Sequence, residues 1–316
     1  MTTQTLDRAL VMEAVRVSEA AAIAAWAMVG RGDEKAADQA AVDAMRNALN
    51  DLPISGRIVI GEGERDEAPM LYIGERVGRG GPRVDIALDP LEGTTLTAKA
   101  MGGALAVMAW APADTLLNAP DTYMDKIACG PGYAQGLLDL DASAADNVRA
   151  MAKAKGVDPS EINVCVLDRP RHAEIIASLR GLGARVHLIT DGDVAGVINT
   201  ADPETGVDLY LGQGGAPEGV LACAALKCVG GQFQGRLVFR SADEKARARG
   251  HGITDLTKKY DLHEMVRADA IFVATGVTSG ALLDGVRLTG HHVLTHTLVM
   301  NSSTGAVREV RMKRRV

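Results

Sequence analysis

Acidic side chains recur in this chain where core elements begin or end. Asp38 lies early in a segment with helical periodicity, and Glu62 follows the apolar triplet Ile58-Val59-Ile60. Asp89 and Glu92 follow the run Val84-Asp85-Ile86-Ala87-Leu88, and Glu218 sits in Gly214-Gly215-Ala216-Pro217-Glu218-Gly219, just before an apolar helix. Strand ends in open α/β sheets are where loops are free to carry polar groups and where ligands collect. Carboxylates gathered there repel one another, and hard divalent cations placed among them relieve the repulsion. Oxygen-only ligation suits magnesium or manganese better than zinc. The seven histidines, His291-His292 included, are read as structural or surface residues.

The densest local signal is Asp89-Pro90-Leu91-Glu92-Gly93-Thr94. Pro90 fixes φ and is expected to turn the chain out of its strand. Asp89 can ligate, and Gly93 lets the backbone approach an anion closely. The Thr94 hydroxyl can orient a water, or relieve it of a proton with help from a neighbouring acid. Each motif also has a plainer reading when taken alone. Asp89 and Thr94 can cap a strand-ending turn. Asp38 can cap or pair, Glu218 can cap its helix, and Asp191-Gly192-Asp193 can be an ordinary turn. Tyr123 can be a half-buried tyrosine, and Arg169 and Arg171, on either side of Pro170, a surface charge pair. Asp33 and Glu34 are expected to serve a helix N-terminus, where anionic side chains are favoured. Glu64, Asp66 and Glu67 are expected to be solvated or to support ligands from outside.

The elements that must carry these residues can be read from periodicity. Leu10, Ala14, Val17, Ala21, Ala24 and Met28 form one face of a long first helix, ended by Gly30 and Gly32. A second helix is predicted over 34–49, with Asp38 on the same face as Val42 and Met45. A carboxylate pointing towards a core needs a cation or strong donors. Strands are expected at 58–60, 84–88 and 104–109. From about residue 160 strands and helices alternate: strand 163–167, helix 171–182, strand 185–189, a helix opened by Asp191-Gly192-Asp193, strand 208–211 and helix 220–228. Late strands are expected at 270–274 and 293–300. Such alternation implies an α/β layer. The expected division is an N-terminal α/β domain over 1–160 and a C-terminal α/β domain over 161–316.

Composition narrows the function classes. The formal charge is −6, so no large basic face for nucleic acid is implied. Arg311-Met312-Lys313-Arg314-Arg315 is expected to be a short solvated tail. Aromatic residues make up only 3%, so the core must be built mainly from Ala, Val, Leu, Ile and Met. Cys129, Cys165, Cys223 and Cys228 form no CxxC pair and are read as buried reduced thiols of a cytoplasmic protein. The charged N-terminus resembles neither a signal peptide nor a membrane span.

DPxxGT after a strand resembles the metal-binding motif of the lithium-sensitive phosphatase superfamily, which includes inositol monophosphatases and fructose bisphosphatases. The chain as a whole resembles the class II fructose-1,6-bisphosphatases of bacteria. The resemblance is carried by GRGDEKAADQAAVDAMR at 30–46, IVIGEGERDEAPMLYIGE at 58–75, DIALDPLEGT at 85–94, NAPDTYMDK at 118–126, DRPRH at 168–172, DGDV at 191–194 and GGAPEG at 214–219. It implies a layered α/β/α/β/α fold with two α/β halves and the active site between them. It also implies hydrolysis of the 1-phosphate of fructose 1,6-bisphosphate, with Mn2+ or Mg2+ and a threonine-assisted, cation-activated water. Carried over residue by residue, Asp38, Glu62, Asp89, Glu92 and Glu218 match metal ligands, and Thr94 matches the catalytic threonine. Glu92, Gly93, Thr94, Tyr123, Arg169, Pro170, Arg171, Asp191, Gly192, Asp193 and Gly215 match substrate contacts. Arg169 can be lysine in relatives, which keeps the charge and changes the donor geometry. The expected partner is a sugar bisphosphate, with no nucleic acid and no membrane, in a homo-oligomer, dimer or tetramer. Some relatives also act on sedoheptulose 1,7-bisphosphate. A monophosphate substrate would leave the Arg169–Arg171 anion site empty, and a catalytically dead sensor would not need the carboxylates and Thr94.

Overall fold

A computed structural model describes residues 6–63 and 70–316. Glu64, Asp66 and Glu67 lie outside the described residues. Two helices come first, α1 (Leu10–Trp26) and α2 (Glu34–Asn50). They are followed by β1 (Ser55–Ile60), β2 (Arg76–Val77), β3 (Arg83–Glu92), the short α3 (Thr94–Ala98) and β4 (Leu105–Pro112). A second series runs through β5 (Tyr123–Cys129), α4 (Ala144–Lys155), β6 (Asn163–Leu167), α5 (Ala173–Gly181), β7 (Arg185–Ile189) and α6 (Asp193–Ile198). It continues with β8 (Leu209–Gly215), α7 (Ala216–Val229), β9 (Gln232–Val238), α8 (Ala242–Gly250), β10 (Lys259–Asp261) and α9 (Leu262–Met265). The chain closes with β11 (Ile271–Gly276), β12 (Arg287–Thr289), β13 (His292–Asn301) and β14 (Ala306–Arg315).

Two compact units result, one from Met1–Leu117 with Val266–Val316 and one from Asn118–Met265. The division expected near residue 160 falls inside the second unit, between α4 and β6. The alternation that begins there marks parallel strands within one sheet. The chain leaves the first unit earlier and returns when β11 pairs antiparallel with β4, Val273 opposite Met108.

The first unit is a sheet of order β12-β13-β11-β4-β3-β1-β2, with β14 on β13, and helices packed on it. Its core joins Ala14, Val17 and Ala21 of α1 and Ala41, Val42 and Met45 of α2 to Val84, Ile86 and Leu88 of β3 and Met108 and Trp110 of β4. Ala24 is only half-buried, while Ala22 and Ala25 are fully buried, so the buried face of α1 is wider than the sequence spacing suggests. One polar stitch crosses this core. Ser18 Oγ lies 2.7 Å from Thr275 Oγ1, which lies 2.8 Å from Thr297 Oγ1. The basic C-terminal segment is no tail: it is strand β14, paired along all of β13 from His292 opposite Arg315 to Asn301 opposite Ala306. Val310 and Met312 alternate with its charges and pack against the core.

The second unit has the strand order β10-β9-β5-β8-β6-β7, with β6 parallel to both β7 and β8. Alternation along β5 and β6 assigns its two faces. Ile127, Cys129, Val164 and Val166 share a core with α4 and α5. Cys165 and Lys126 point the other way, towards α6 and α7: a Cβ on Gly196 would meet Cys165 Sγ at 3.1 Å, and one on Gly219 would meet Lys126 Cε at 3.3 Å. Helices therefore cover both faces of this sheet. Both units are layered α/β structures, as expected. Among the described residues no helix is long and apolar enough to cross a membrane.

Candidate active site

The first unit carries four of the five candidate ligands and Thr94. Asp33 caps α2, its Oδ1 accepting from Ala36 N at 3.0 Å. Glu34 instead turns to α3, where its Oε1 accepts from Thr95 Oγ1 at 2.9 Å. Gly30 N and Gly32 N donate to Thr97 O and Ala98 O, so the turn between α1 and α2 anchors α3 as well. Asp38, one turn into α2, is hydrogen-bonded to Glu62, which follows β1. Burial raises the Asp38 carboxyl above the usual range, and the bond to Glu62 offsets part of the shift. Glu62 is held by its backbone N–H, which donates to Leu71 O at 3.1 Å. Leu71 is fully buried with φ of 54°, a left-handed conformation that costs a bulky residue about 1–2 kcal/mol.

Pro90 does not end its strand as expected. β3 continues to Glu92 through a bulge. Asp89 pairs with Val107 and Glu92 with Leu105, so Pro90 and Leu91 face a single residue of β4. Proline, without an N–H, fits a break in the ladder. Asp89 Oδ1 accepts from Leu91 N at 3.0 Å and fastens the bulge. The consequence is geometric. In a regular strand residues 89 and 92 would point to opposite faces. Their partners Val107 and Leu105 are two apart, so the bulge turns Asp89 and Glu92 to one face, while Leu88 and Leu91 join the core on the other. Gly93 then takes φ of 93°, and a Cβ there would lie 2.9 Å from Leu96 Cδ1. This sharp exit places Thr94 at the first position of α3. Glu62 and Asp89 also stand at the same end of adjacent parallel strands, since β1 pairs parallel with β3.

The second unit carries Glu218, in the first turn of α7. Its residue is partly exposed, but Oε2 is buried and has no hydrogen-bond partner among the described residues. Burial pushes this carboxyl up, the Asp193 carboxylate adds to the shift, and Lys126 acts against it. Lys126 is 1% exposed and its Nζ donates to Asp193 Oδ2 at 2.6 Å. The glycines of the GGAPEG string make room for these charges. A Cβ on Gly215 would fall 1.8 Å from Glu218 Oε2, and one on Gly214 would fall 1.9 Å from Asp193 Oδ2. Gly192, with φ of 80°, sits just before α6 and lets Asp193 start that helix with its side chain turned to Lys126. Lys126 ends the NAPDTYMDK string, yet its strand context alone does not mark it as a buried cation.

Arg171 and Tyr123 also meet here. Arg171 donates from Nε and Nη2 to Gln213 O at 3.1 and 2.7 Å, and its guanidinium carbon lies 4.8 Å from the Tyr123 ring centre. Tyr123 opens β5 opposite Gly215. Pro170 starts a single turn, and His172 behind it is buried. Gln213 N donates to His172 Nε2 at 2.8 Å and Nδ1 lies 2.7 Å from Leu167 O, so the ring is neutral with its proton on Nδ1. Burial keeps it below the usual histidine range, although the bond to Leu167 opposes that shift. His172 is structural, as expected, and locks the Arg169–Arg171 turn to β8. Arg169 is half-buried and donates to Asp168 O at 3.3 Å. His292 and His296 lie on β13, where His296 Nε2 meets Glu309 Oε2 at 3.1 Å.

Among the described residues no three histidine, cysteine, aspartate or glutamate side chains close into a ready-made metal site. The donors nevertheless fit a hard cation. All are carboxylates. Two of them, Asp38 and Glu62, meet in a hydrogen-bond contact, and the buried oxygen of Glu218 has no protein donor among the described residues.

A family model described as bacterial fructose-1,6-bisphosphatase, glpX-encoded, matches residues 8–314. The chain is 46% identical over 320 residues to the fructose-1,6-bisphosphatase 1 class 2 of Escherichia coli K12, covering 96% of this chain and 95% of that one. The class 2 fructose-1,6-bisphosphatases of Escherichia coli O6:H1 and Shigella flexneri match with the same identity and coverage.

Replacing Lys126 by Met should cost about 3–5 kcal/mol in urea denaturation, because Asp193 is left buried beside Glu218 without its cation. Arg83→Met, which breaks an exposed pair with Asp114, should cost about 0–1 kcal/mol. Equal losses in the two variants would show that Lys126 carries no buried charge pair.

Proposed function

The chain belongs to the bacterial class 2 fructose-1,6-bisphosphatase family, and from that premise we propose how its residues carry out the reaction. The protein is a metal-dependent phosphatase that hydrolyses fructose 1,6-bisphosphate. The 1-phosphate is the one removed, leaving fructose 6-phosphate and phosphate. Asp38, Glu62, Asp89, Glu92 and Glu218 would hold Mn2+ or Mg2+. When bound, such a cation supplies the Lewis acidity that a set of carboxylates lacks.

Thr94 is the catalytic residue of this reading. Its hydroxyl aligns the attacking water and hands the water's proton to a neighbouring carboxylate. The bulge at Pro90–Leu91 is the observation that carries the assignment. It turns two carboxylates to one face and delivers Thr94 immediately after them. The backbone around Gly93 receives the reacting phosphate, which its left-handed turn leaves room to approach. Asp191, Gly192 and Gly215 border the sugar, and Asp193 acts through the Lys126 pair. Arg171, flanked by Arg169 and Pro170 and stacked on Tyr123, holds the phosphate that does not react. The planar guanidinium fork suits phosphate oxygens. The four buried free thiols support a reducing, cytoplasmic setting. A homo-oligomer belongs to the same proposal, and light scattering on the purified protein tests it.

Phosphate release from fructose 1,6-bisphosphate, sedoheptulose 1,7-bisphosphate, inositol monophosphate and a nucleoside monophosphate tests the whole reading. Fructose 1,6-bisphosphate should lead, and a preference for either monophosphate would overturn it.

Three further outcomes are expected. Dialysis against a chelator should abolish turnover, and added manganese or magnesium should restore it; full activity in metal-free protein would remove the cation from the mechanism. Thr94→Ala should lower kcat by about 10²–10⁴-fold with little change in substrate affinity, and Thr94→Ser should keep part of the rate. A threonine that only supports α3 predicts a lower melting temperature and a near-normal kcat. Arg171→Ala should raise KM for the bisphosphate far more than it lowers kcat, since it contacts a group that does not react. A collapsed kcat at unchanged KM would move Arg171 to the reacting phosphate.

A further inference from the structure

We propose that Arg240 is a specificity-determining residue. With Arg171 and Tyr123 it binds the phosphate of the substrate that does not react. The inference rests on the bisphosphatase reading above and adds to it a residue that no sequence motif marked.

Arg240 follows β9, and β9 ends beside Tyr123, since Tyr123 pairs with Val238. The Arg240 guanidinium carbon lies 4.2 Å from the Tyr123 ring centre, against 4.8 Å for Arg171. Two guanidinium groups therefore share one aromatic ring. An exposed cation–π contact is worth only about 0.5–1 kcal/mol. Attraction to the ring alone gives little reason to gather two arginines there. A phosphate carrying up to two negative charges gives a strong one, because it neutralises both and accepts from both planar forks.

Both forks keep donors for such a ligand. Arg171 uses Nε and Nη2 on Gln213 O, which leaves Nη1. Among the described residues Arg240 approaches one acid, Glu244, with Nε 3.6 Å from Oε1, and its side chain is 62% exposed. The Tyr123 hydroxyl, which makes no hydrogen bond among the described residues, adds a third donor beside them.

The position of Arg240 is built. Ser241 caps α8, its Oγ accepting from Glu244 N at 3.1 Å. Glu244 Oε2 reaches back to accept from Arg240 N at 2.5 Å, the return half of a capping box displaced by one residue. The same oxygen lies 3.4 Å from Thr122 Oγ1, and Thr122 Oγ1 donates to Val238 O at 2.6 Å. One buried carboxylate thus ties the start of β5, the end of β9 and the start of α8 together around Tyr123. The hydrogen bond from Arg240 N holds the Glu244 carboxyl below the usual range, so it stays ionised. A free surface arginine would need no such fixed backbone.

The test compares substrates with and without the distal phosphate. Arg240→Ala should raise KM for fructose 1,6-bisphosphate by about 10–100-fold, the loss of one charge-assisted contact, with kcat nearly unchanged. Turnover of fructose 1-phosphate, which lacks that group, should be unaffected. Fructose 6-phosphate, which retains only that group, should bind more weakly by a similar factor in calorimetry. Arg240→Lys should recover part of the loss. A helix that is merely loosened would lower the melting temperature and affect both substrates alike. An unchanged preference for bisphosphate over fructose 1-phosphate, together with unchanged binding of fructose 6-phosphate, overturns the assignment. If Arg171→Ala still narrows that preference, only Arg240 is wrongly placed. If the wild-type protein fails to hydrolyse the bisphosphate at all, the bisphosphatase reading itself is what falls.

Discussion

Negative charge held partly out of water is the constraint around which both units are arranged. Two ionised carboxylates about 4 Å apart repel by roughly 4 kcal/mol at the effective dielectric of a protein surface. The chain meets this cost differently in its two units. In the second, Lys126 is an internal partner, fully enclosed and paired with Asp193 beside Glu218. In the first, the carboxyls of Asp38 and Glu62 are left in mutual contact, and burial raises the Asp38 carboxyl above the usual range. Charge in one unit is compensated by the protein's own cation, and on the proposed reading a divalent ion compensates it in the other. A site meant to acquire a cation needs the second kind of compensation. A site meant to keep its shape whether or not the cation is present needs the first.

That division explains where small residues were required. Gly214, Gly215 and Gly219 leave the space that Asp193, Glu218 and the Lys126 stem occupy, and a methyl group on either of the first two would collide with a carboxylate oxygen. Around the first-unit carboxylates the device is different. One extra residue in β3 changes which face Glu92 presents, and a proline without an N–H makes the interruption of the ladder cheap. Packing is preserved on the other face, because the same bulge returns Leu91 to the core. Local irregularity therefore aims the acids without costing the sheet its hydrophobic register.

Much of this was legible in the sequence, and the rest was not, for physical reasons. Long amphipathic helices announce themselves by period, so α2 was found nearly to the residue, while α1 stops at Trp26, short of the Met28 its periodicity included. Strands β6 and β7 were bounded correctly by the turns around them. The bulge was not visible, because Asp89-Pro90 reads equally well as a strand end; only the register with β4 distinguishes the two. Strand β14 was mistaken for a tail because its exposed face is dominated by arginine and lysine, and the alternation of Val310 and Met312 between charges is too short to stand out. The return of β11 to β4 is a long-range pairing that no local pattern encodes. Among the candidate site residues, the placement of Glu62 and Asp89 at the ends of core strands was legible. Lys126 and Arg240 were missed because their significance lies in what faces them, an enclosed acid and a shared aromatic ring.

The two ends of a bisphosphate call for different chemistry, and the residue roles proposed above follow that division. At the reacting phosphorus, charge moves during the reaction, and only contacts that strengthen in the transition state raise the rate. Compensation there should be polarising and replaceable, which carboxylates awaiting a divalent ion provide. At the distal phosphate nothing changes between substrate and transition state, so contacts add affinity alone. Guanidinium groups suit that end because they are always charged. Here Arg171 is held by the backbone oxygen of Gln213 and the Tyr123 ring rather than by an acid partner. A strong carboxylate partner for Arg171 would have to be displaced whenever substrate arrived. Anchoring it to Gln213 O, with His172 fixing the same segment, orients the fork without neutralising it. The neutral anchor of Arg171 answers the same constraint that governs the acidic end: in the proposed reading each keeps its charge available for a ligand of the opposite sign.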